Sequence, residues 1–446
     1  MNLITLPNGL RIFLNKRDDL RSATVGVWVM SGARNERPDI SGISHFIEHI
    51  VFKGSVKRTG FEIAEGMDEI GAHVNAYTTK EYTFFYTKAL DYQILKASDI
   101  LFDMIRNPRL DEKDIETEKG VVLEEINMCD DDPGDVVYEV NESSLFKGTT
   151  LEMKILGERE TVSGFKREDI LAYMQDNYCA DKTVIGISGN FDEAAMLEKV
   201  KEYFSDMSEK SKGDGYYKVP FNKAIALKTM QTEQTHLMMC FDGIGIQHED
   251  LYPLQVCMFI LGTGTSSMLY QKIREELGLC YSIDSWLGRY RGGGYIAVSV
   301  SLSPDSEEKA INEIAGIVGD FSEKVTQRQV DIAKEKLISS LIMSREQPQS
   351  KFSSMGYNLL MISKVIEDDD IIDNIKAITL EDVIAVSKKY LRLEEMAFSA
   401  VGKVKSKEEY EKIIEKATAR FGLLFWRQQK DFPLVVPKIH YGLERL

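Results

Sequence analysis

Nowhere in the 446-residue sequence is there a run of about 18 apolar residues, so no transmembrane helix is expected. The first residues, MNLITLPNGLRIFLNKRDD, lack a basic start followed by an apolar core. No signal peptide is expected, and the segment reads as a strand, a turn at Asn8-Gly9 and a second strand. Cysteine is sparse and odd in number: Cys129, Cys179, Cys240, Cys257 and Cys280, with no CxxC pair. That pattern argues against a disulfide framework and points to a reducing, cytoplasmic location. Positive charge is in deficit, 55 Lys and Arg against 71 Asp and Glu, for a net charge of −16. Nucleic acid and anionic membranes are poor partners for such a surface. The acidity serves solubility, or it lines a cavity that attracts basic peptides; composition leaves both readings open. What is present is a normal globular balance, 43% hydrophobic and 28% charged, with length for two to three domains.

The first half alternates strands and helices. TVGVWVMSGA (24–33) is β-branched and alternating, a strand. SGISHFIEHIVFKGS (41–55) is apolar at helical spacing and meets a stop signal at Gly54. FEIAEGMDEIGA (61–72) is a second helix, and HVNAYTTKEYTFFYTKAL (73–90) reads as a hairpin. Further helices are expected before Pro108 and over 111–132, before Pro133. A repeat then emerges. KREDILAYMQDNYCADKTVIGISGN (166–190) and TLEDVIAVSKKYLRLEEMAFSAVGK (379–403) share a helix, a buried strand and a turn. Glu168 matches Glu381, Ala172 matches Ala385 and Gly189 matches Gly402, each 213 residues apart (381−168, 385−172, 402−189). A duplication of half the chain follows, two similar α+β domains over about 1–210 and 220–422, with SEKSKGDGYYKVP (208–220) as linker. Residues 423–446 have no counterpart and stay unassigned.

Several stretches read plainly. GTGTSS (262–267) lacks the lysine of a phosphate loop and suits a capped helix start. DDDPGD (130–135) reads as a solvated turn, EDDD (367–370) as a loop and cap, and RGGGY (291–295) as a hairpin turn.

Histidine is scarce, six in the chain, yet two stand four apart as His45-Phe46-Ile47-Glu48-His49. On a helix both imidazoles project from one face. Such a pair shares one Zn²⁺, and the intervening glutamate reaches a water on the metal. The other reading is an amphipathic helix with two partly exposed histidines. A third ligand is required, with the fourth position open. Over 111–129, Glu118 and Glu125 lie seven residues apart on one helix face, and Glu124 is rotated off it by about 100°. Gly120, Val121, Val122 and Leu123 between them suit a partly buried helix. A buried carboxylate needs a partner. Zinc at Glu125, with a supporting or substrate role for Glu118, satisfies both, although helix glutamates are more often solvated charges.

GISHFIEHIVFKGS, GAHVNAYTTKEYTFFY and ETEKGVVLEEI together resemble the pitrilysin/insulinase family of zinc metallopeptidases. The likeness is to its short two-domain branch, with mitochondrial processing peptidase and bacterial relatives, and covers the chain to about 422. The resemblance implies a third ligand 76 residues after the second histidine, which falls on Glu125 (125−49), and a further glutamate at Glu118. It implies that Arg274 and Tyr281, seven apart in SSMLYQKIREELGLCYSIDSW, grip the substrate carbonyl. By themselves they read as a helix-surface Arg and a strand-start Tyr. It also implies that HVNAYT pairs with an extended peptide, with Asn75 and Ala76 in contact. His73 is expected to be a strand residue, not a ligand.

The expectations are therefore these. The fold is α+β, two homologous domains, each a mostly antiparallel sheet covered by helices, as the resemblance implies. The function is that of a zinc endopeptidase for unfolded peptides or presequences, with one Zn²⁺ on His45, His49 and Glu125 and with Glu48 as base. The family's chamber takes four such domains, so a homodimer is expected, with Arg274 and Tyr281 of one chain facing the zinc of the other. The competing reading is a non-catalytic or partner-dependent subunit of a hetero-oligomeric processing peptidase.

Overall fold

The computed structural model describes residues 2–211 and 219–422. The expected linker lies partly, and the segment 423–446 wholly, outside the described residues. The first half runs β1 (Asn2–Thr5), β2 (Arg11–Lys16), β3 (Ser22–Val29), α1 (Ile43–Ile50), α2 (Gly60–Glu69), β4 (His73–Thr78), β5 (Thr83–Leu90), α3 (Ile94–Arg106), α4 (Glu112–Asp131), α5 (Pro133–Leu145), α6 (Arg159–Gly164), α7 (Arg167–Asn177), β6 (Thr183–Gly189) and α8 (Glu193–Phe204). The second half runs β7 (Ile225–Thr229), β8 (Thr235–Asp242), α9 (Leu251–Leu261), a π-helical turn Tyr270–Glu276, β9 (Cys280–Tyr290), β10 (Gly293–Leu302), α10 (Glu307–Lys324), α11 (Gln327–Arg345), α12 (Pro348–Ile362), α13 (Asp368–Ala377), α14 (Leu380–Tyr390), β11 (Ala397–Gly402) and α15 (Lys407–Thr418).

Each half builds one sheet, in the orders β1-β2-β6-β3-β5-β4 and β7-β11-β8-β10-β9. Only β2 with β6 and β7 with β11 run parallel; the other neighbours are antiparallel. The protein is thus α+β, with two mostly antiparallel sheets covered by helices. Central strand β3, SATVGVWV, is buried along nearly its whole length, as an apolar strand covered on both faces must be. Edge strand β4 alternates exposed and half-buried residues.

The repeat has a backbone cause at one position. Gly189 and Gly402 end β6 and β11 with φ of +120° and +128°. A Cβ at Gly189 would stand 2.4 Å from the Ser22 carbonyl oxygen, and one at Gly402 2.7 Å from that of Gln234. Only glycine takes this conformation at so close an approach.

On one face the first sheet packs against α1, α3, α4, α7 and α8, and the second against α9, α10, α14 and α15. The opposite faces are covered by exchange. Helix α12, from the second half, lays Phe352, Met355, Leu359 and Leu360 on Phe13, Trp28 and Phe84 of the first sheet. Helix α5, from the first half, lays Val136, Val137 and Leu145 on Met238, Cys240, Ala297 and Val401 of the second. The hairpin tips of the two sheets also meet, where the Glu81 carboxylate accepts the Arg291 N–H at 3.0 Å.

The stretch 130–135 is not a solvated turn. Helix α4 runs to Asp131 and α5 begins at Pro133, so the junction is Asp132 alone. Proline has no N–H to continue α4 but suits the first turn of a new helix, and Asp132 Oδ1 caps that turn by accepting the Gly134 N–H at 2.7 Å. Of EDDD, only Glu367 stands outside the helix; Asp368–Asp370 form the first turn of α13, where acids favour the helix dipole.

Candidate metal centre

Helix α1 is short and amphipathic. Ile43, Phe46, Ile47 and Ile50 recur at helical spacing and are buried. His45 and His49 share the remaining face toward α4. At its start the Glu36 carboxylate accepts the N–H groups of Gly42 at 2.6 Å and Ser44 at 2.8 Å. Burial pushes the Glu36 carboxyl up to about 7, against those two bonds. The Tyr173 hydroxyl lies 2.8 Å from Ser44 Oγ and accepts from Ser31 Oγ at 3.0 Å, tying the same turn to the core.

Across from α1, α4 presents Glu118 and Glu125 on one face, and Glu124 is exposed. The stretch between the two site glutamates is less enclosed than its apolar character suggests. Val122 is fully buried, but Val121 is 45% exposed and a Cβ at Gly120 would meet nothing. The helix turns one stripe inward and leaves the other to solvent.

The donor atoms converge. Glu125 Oε2 stands 3.6 Å from His45 Nε2 and 3.3 Å from His49 Nε2, and the donor atoms of the three residues lie within 4.8 Å of one another. Ligands about 2.1 Å from a tetrahedral zinc stand roughly 3.4 Å apart, so the spacing matches. Glu118, only 2% exposed, lies 2.9 Å from His49 Nδ1 and 2.7 Å from Lys53 Nζ. A proton on Nδ1 toward Glu118 leaves the Nε2 lone pair for a metal. Burial and the neighbouring His49 push the His45 imidazole down to about 4. Burial also opposes charge on His49, but Glu118 and Glu125 hold it at about 9. A metal entering here therefore displaces a proton.

Glu48 is half-buried beside this cluster. Burial raises its pKa, and the bond from Thr78 partly offsets this. The Thr78 hydroxyl donates to Glu48 Oε2 at 2.6 Å. Asn75 and Ala76 lie on the same strand, β4, at the free edge of the first sheet. Asn75 Oδ1 accepts the Ala76 N–H at 2.8 Å, which covers an edge donor that an incoming strand would use. His73 is an exposed strand residue. Arg274 and Tyr281 sit apart from this group, in the second half. The Arg274 guanidinium lies over the rings of Tyr270 and Tyr281, 4.6 Å and 5.2 Å from their centroids, and Tyr281 is 80% exposed.

The structure therefore joins His45, His49, Glu125, Glu118 and Glu48 and leaves Arg274 with Tyr281 as a separate pair. Sequence reasoning passed over Glu36, Lys53 and Thr78. Lys53, one helical turn beyond His49, carried a spacing signal. Glu36 and Thr78 carried none.

Two imidazoles and one carboxylate, with an acid positioned behind one imidazole, are a donor set that fits a zinc-type divalent ion. On a duplicated α+β scaffold, an inverted His-x-x-Glu-His helix facing a glutamate within metal-binding distance defines a class of zinc-protease-like proteins. Residues 11–159 match the family model for insulinase (peptidase family M16), and residues 164–337 that for the peptidase M16 inactive domain. The chain belongs to peptidase family M16. It is 35% identical to an uncharacterized zinc protease of Bacillus subtilis over 386 residues, covering 86% of this chain and 94% of the relative. It is 33% identical to an uncharacterized zinc protease of Rickettsia felis, covering 87% and 94%. A peptidase M16 inactive domain structure from Pseudomonas fluorescens shares the fold with a TM-score of 0.85 at 16% identity, covering 91% and 98%.

Proposed function

We propose that the chain is a zinc-dependent endopeptidase that cleaves extended, unfolded peptides, presequences among them, as a homodimer in the cytoplasm. The observation that carries this reading is the convergence of His45, His49 and Glu125 beside a half-buried Glu48. The five cysteines are unpaired, which supports a reducing compartment.

A bound ion supplies Lewis-acid chemistry, polarising a carbonyl and acidifying water. Glu118 holds His49 with Nε2 free to ligate. Glu48 takes a proton from the attacking water and delivers it to the leaving amine. Peptide main chain adds to β4 once Asn75 releases the Ala76 N–H. Arg274 and Tyr281 of the second copy donate to the developing oxyanion, a role for which an exposed phenol stacked on a half-buried guanidinium is suited. Four domains closed around the site admit unfolded chains and exclude folded ones.

The test compares wild type with Glu48→Gln for zinc content and for cleavage of an unstructured basic peptide of about 20 residues, long enough to pair with an edge strand. Both are expected to hold about one zinc per chain, with the variant's kcat down at least about a hundred-fold. Zinc in both with no cleavage by wild type favours the partner-dependent subunit. No zinc in either overturns the reading.

A further inference from the structure

We propose that Thr78 is a positioning residue for Glu48, holding the carboxylate with a hydroxyl that is itself seated against Thr83. This rests on the peptidase reading and adds to it how the base is aimed.

A glutamate has three side-chain torsions, and a half-buried carboxylate beside a metal-binding cluster must be held at one setting to accept a proton along one line. The only side-chain hydrogen bond to Glu48 among the described residues is that of Thr78 Oγ1, at 2.6 Å. A contact this short to a carboxyl oxygen is a strong one. Thr78 ends β4 and lies opposite Thr83 in the antiparallel register. Their hydroxyls are 3.2 Å apart, and Thr83 Oγ1 also donates to the Ser31 carbonyl at 2.8 Å. A hydroxyl has one proton. Thr78 gives its own to Glu48 and Thr83 gives its own to the Ser31 carbonyl, so the buried Thr83 hydroxyl, 3.2 Å from that of Thr78, serves as the wall against which Thr78 is seated rather than as its donor.

The support is stiff. Thr83 is fully buried on β5, and β-branched threonine has few χ1 settings. Thr78 is also two residues beyond Ala76 on the strand proposed to pair with substrate. Alternate residues of a strand point to the same face. One rigid strand would then set both the peptide main chain and the base, and the distance between them is fixed by β4 rather than by a loop.

The experiment compares Thr78→Val and Thr78→Ser with wild type and Glu48→Gln, with Glu48→Ala as the background for a thermal cycle. Valine keeps the β-branched shape and removes the hydroxyl; serine keeps the hydroxyl. Thr78→Val is expected to retain zinc and a KM within about twofold of wild type while kcat falls roughly ten- to a hundred-fold. Thr78→Ser is expected to restore most of that loss. A second readout needs no activity. In metal-free protein, Thr78→Val lowers Tm, and lowers it by less than half as much when Glu48 is already alanine. A kcat within twofold of wild type for Thr78→Val, a loss that serine does not restore, or equal Tm shifts in both backgrounds overturns the proposal. Should wild type fail to cleave, the peptidase reading falls by itself, and the thermal cycle alone decides whether Thr78 holds Glu48.

Discussion

Glu36 is the residue on which the histidine-bearing helix rests. Its carboxylate caps the first turn of α1 but is itself buried, and burial raises its pKa from 4.5 to about 7. A carboxyl whose folded pKa is raised stabilises most below its unfolded pKa, and that contribution is lost as pH rises through the folded value. Between about pH 4.5 and 7 this group alone should withdraw on the order of 3 kcal/mol of stability. Urea unfolding of wild type and Glu36→Gln across that window is expected to show a falling difference; a pH-independent difference contradicts it. At this scale His45, Glu48 and His49 were legible, because the chemistry requires them at one helical spacing. Glu118 and Glu125 were legible from a seven-residue spacing joined to the family resemblance. Glu36 and Thr78 were not, since each meets α1 from another part of the chain and no local spacing records the meeting.

Among elements, the exchange of α5 and α12 does most to join the halves. Both helices begin with proline, Pro133 and Pro348, 215 residues apart (348−133), close to the repeat offset. Each covers the sheet of the opposite half. Phe352 is fully buried against Trp28, ring centroids 5.0 Å apart, and a Cβ at Gly356 would stand 2.3 Å from that tryptophan. Phe352→Ala is expected to lower stability by about 3–5 kcal/mol, read by denaturant unfolding. A loss below about 1 kcal/mol would mean that α12 is loosely seated. The repeat and most helices were readable from periodicity and glycine stops. The exchange was not, because an amphipathic pattern shows that a helix has a buried face but not which sheet it meets. The expected turn at 130–135 failed for a related reason: acidic residues with Pro and Gly look alike in a turn and at a helix start.

Among the described residues, the two related halves carry one His₂Glu cluster between them. Helix α9 occupies the place of α1 in the second half, and its residues LYPLQVCMFIL hold no histidine or carboxylate. The second half instead offers Arg274 and Tyr281. If a dimer places that pair over the zinc site of the other copy, Glu48→Gln and Tyr281→Phe chains, each impaired alone, complement each other. Random mixing makes half of the dimers hybrid, each with one intact site, so about a quarter of wild-type activity is expected. No recovery on mixing, with both variants still dimeric, would place Tyr281 over the site of its own chain or outside the reaction.

The central claim is that His45, His49 and Glu125 hold one metal. Crystals grown with zinc and measured at the zinc absorption edge test it most directly. The account predicts a single anomalous peak about 2.0–2.2 Å from His45 Nε2, His49 Nε2 and a Glu125 carboxylate oxygen, with Glu48 uncoordinated. A peak elsewhere, or none at full zinc loading, would contradict it.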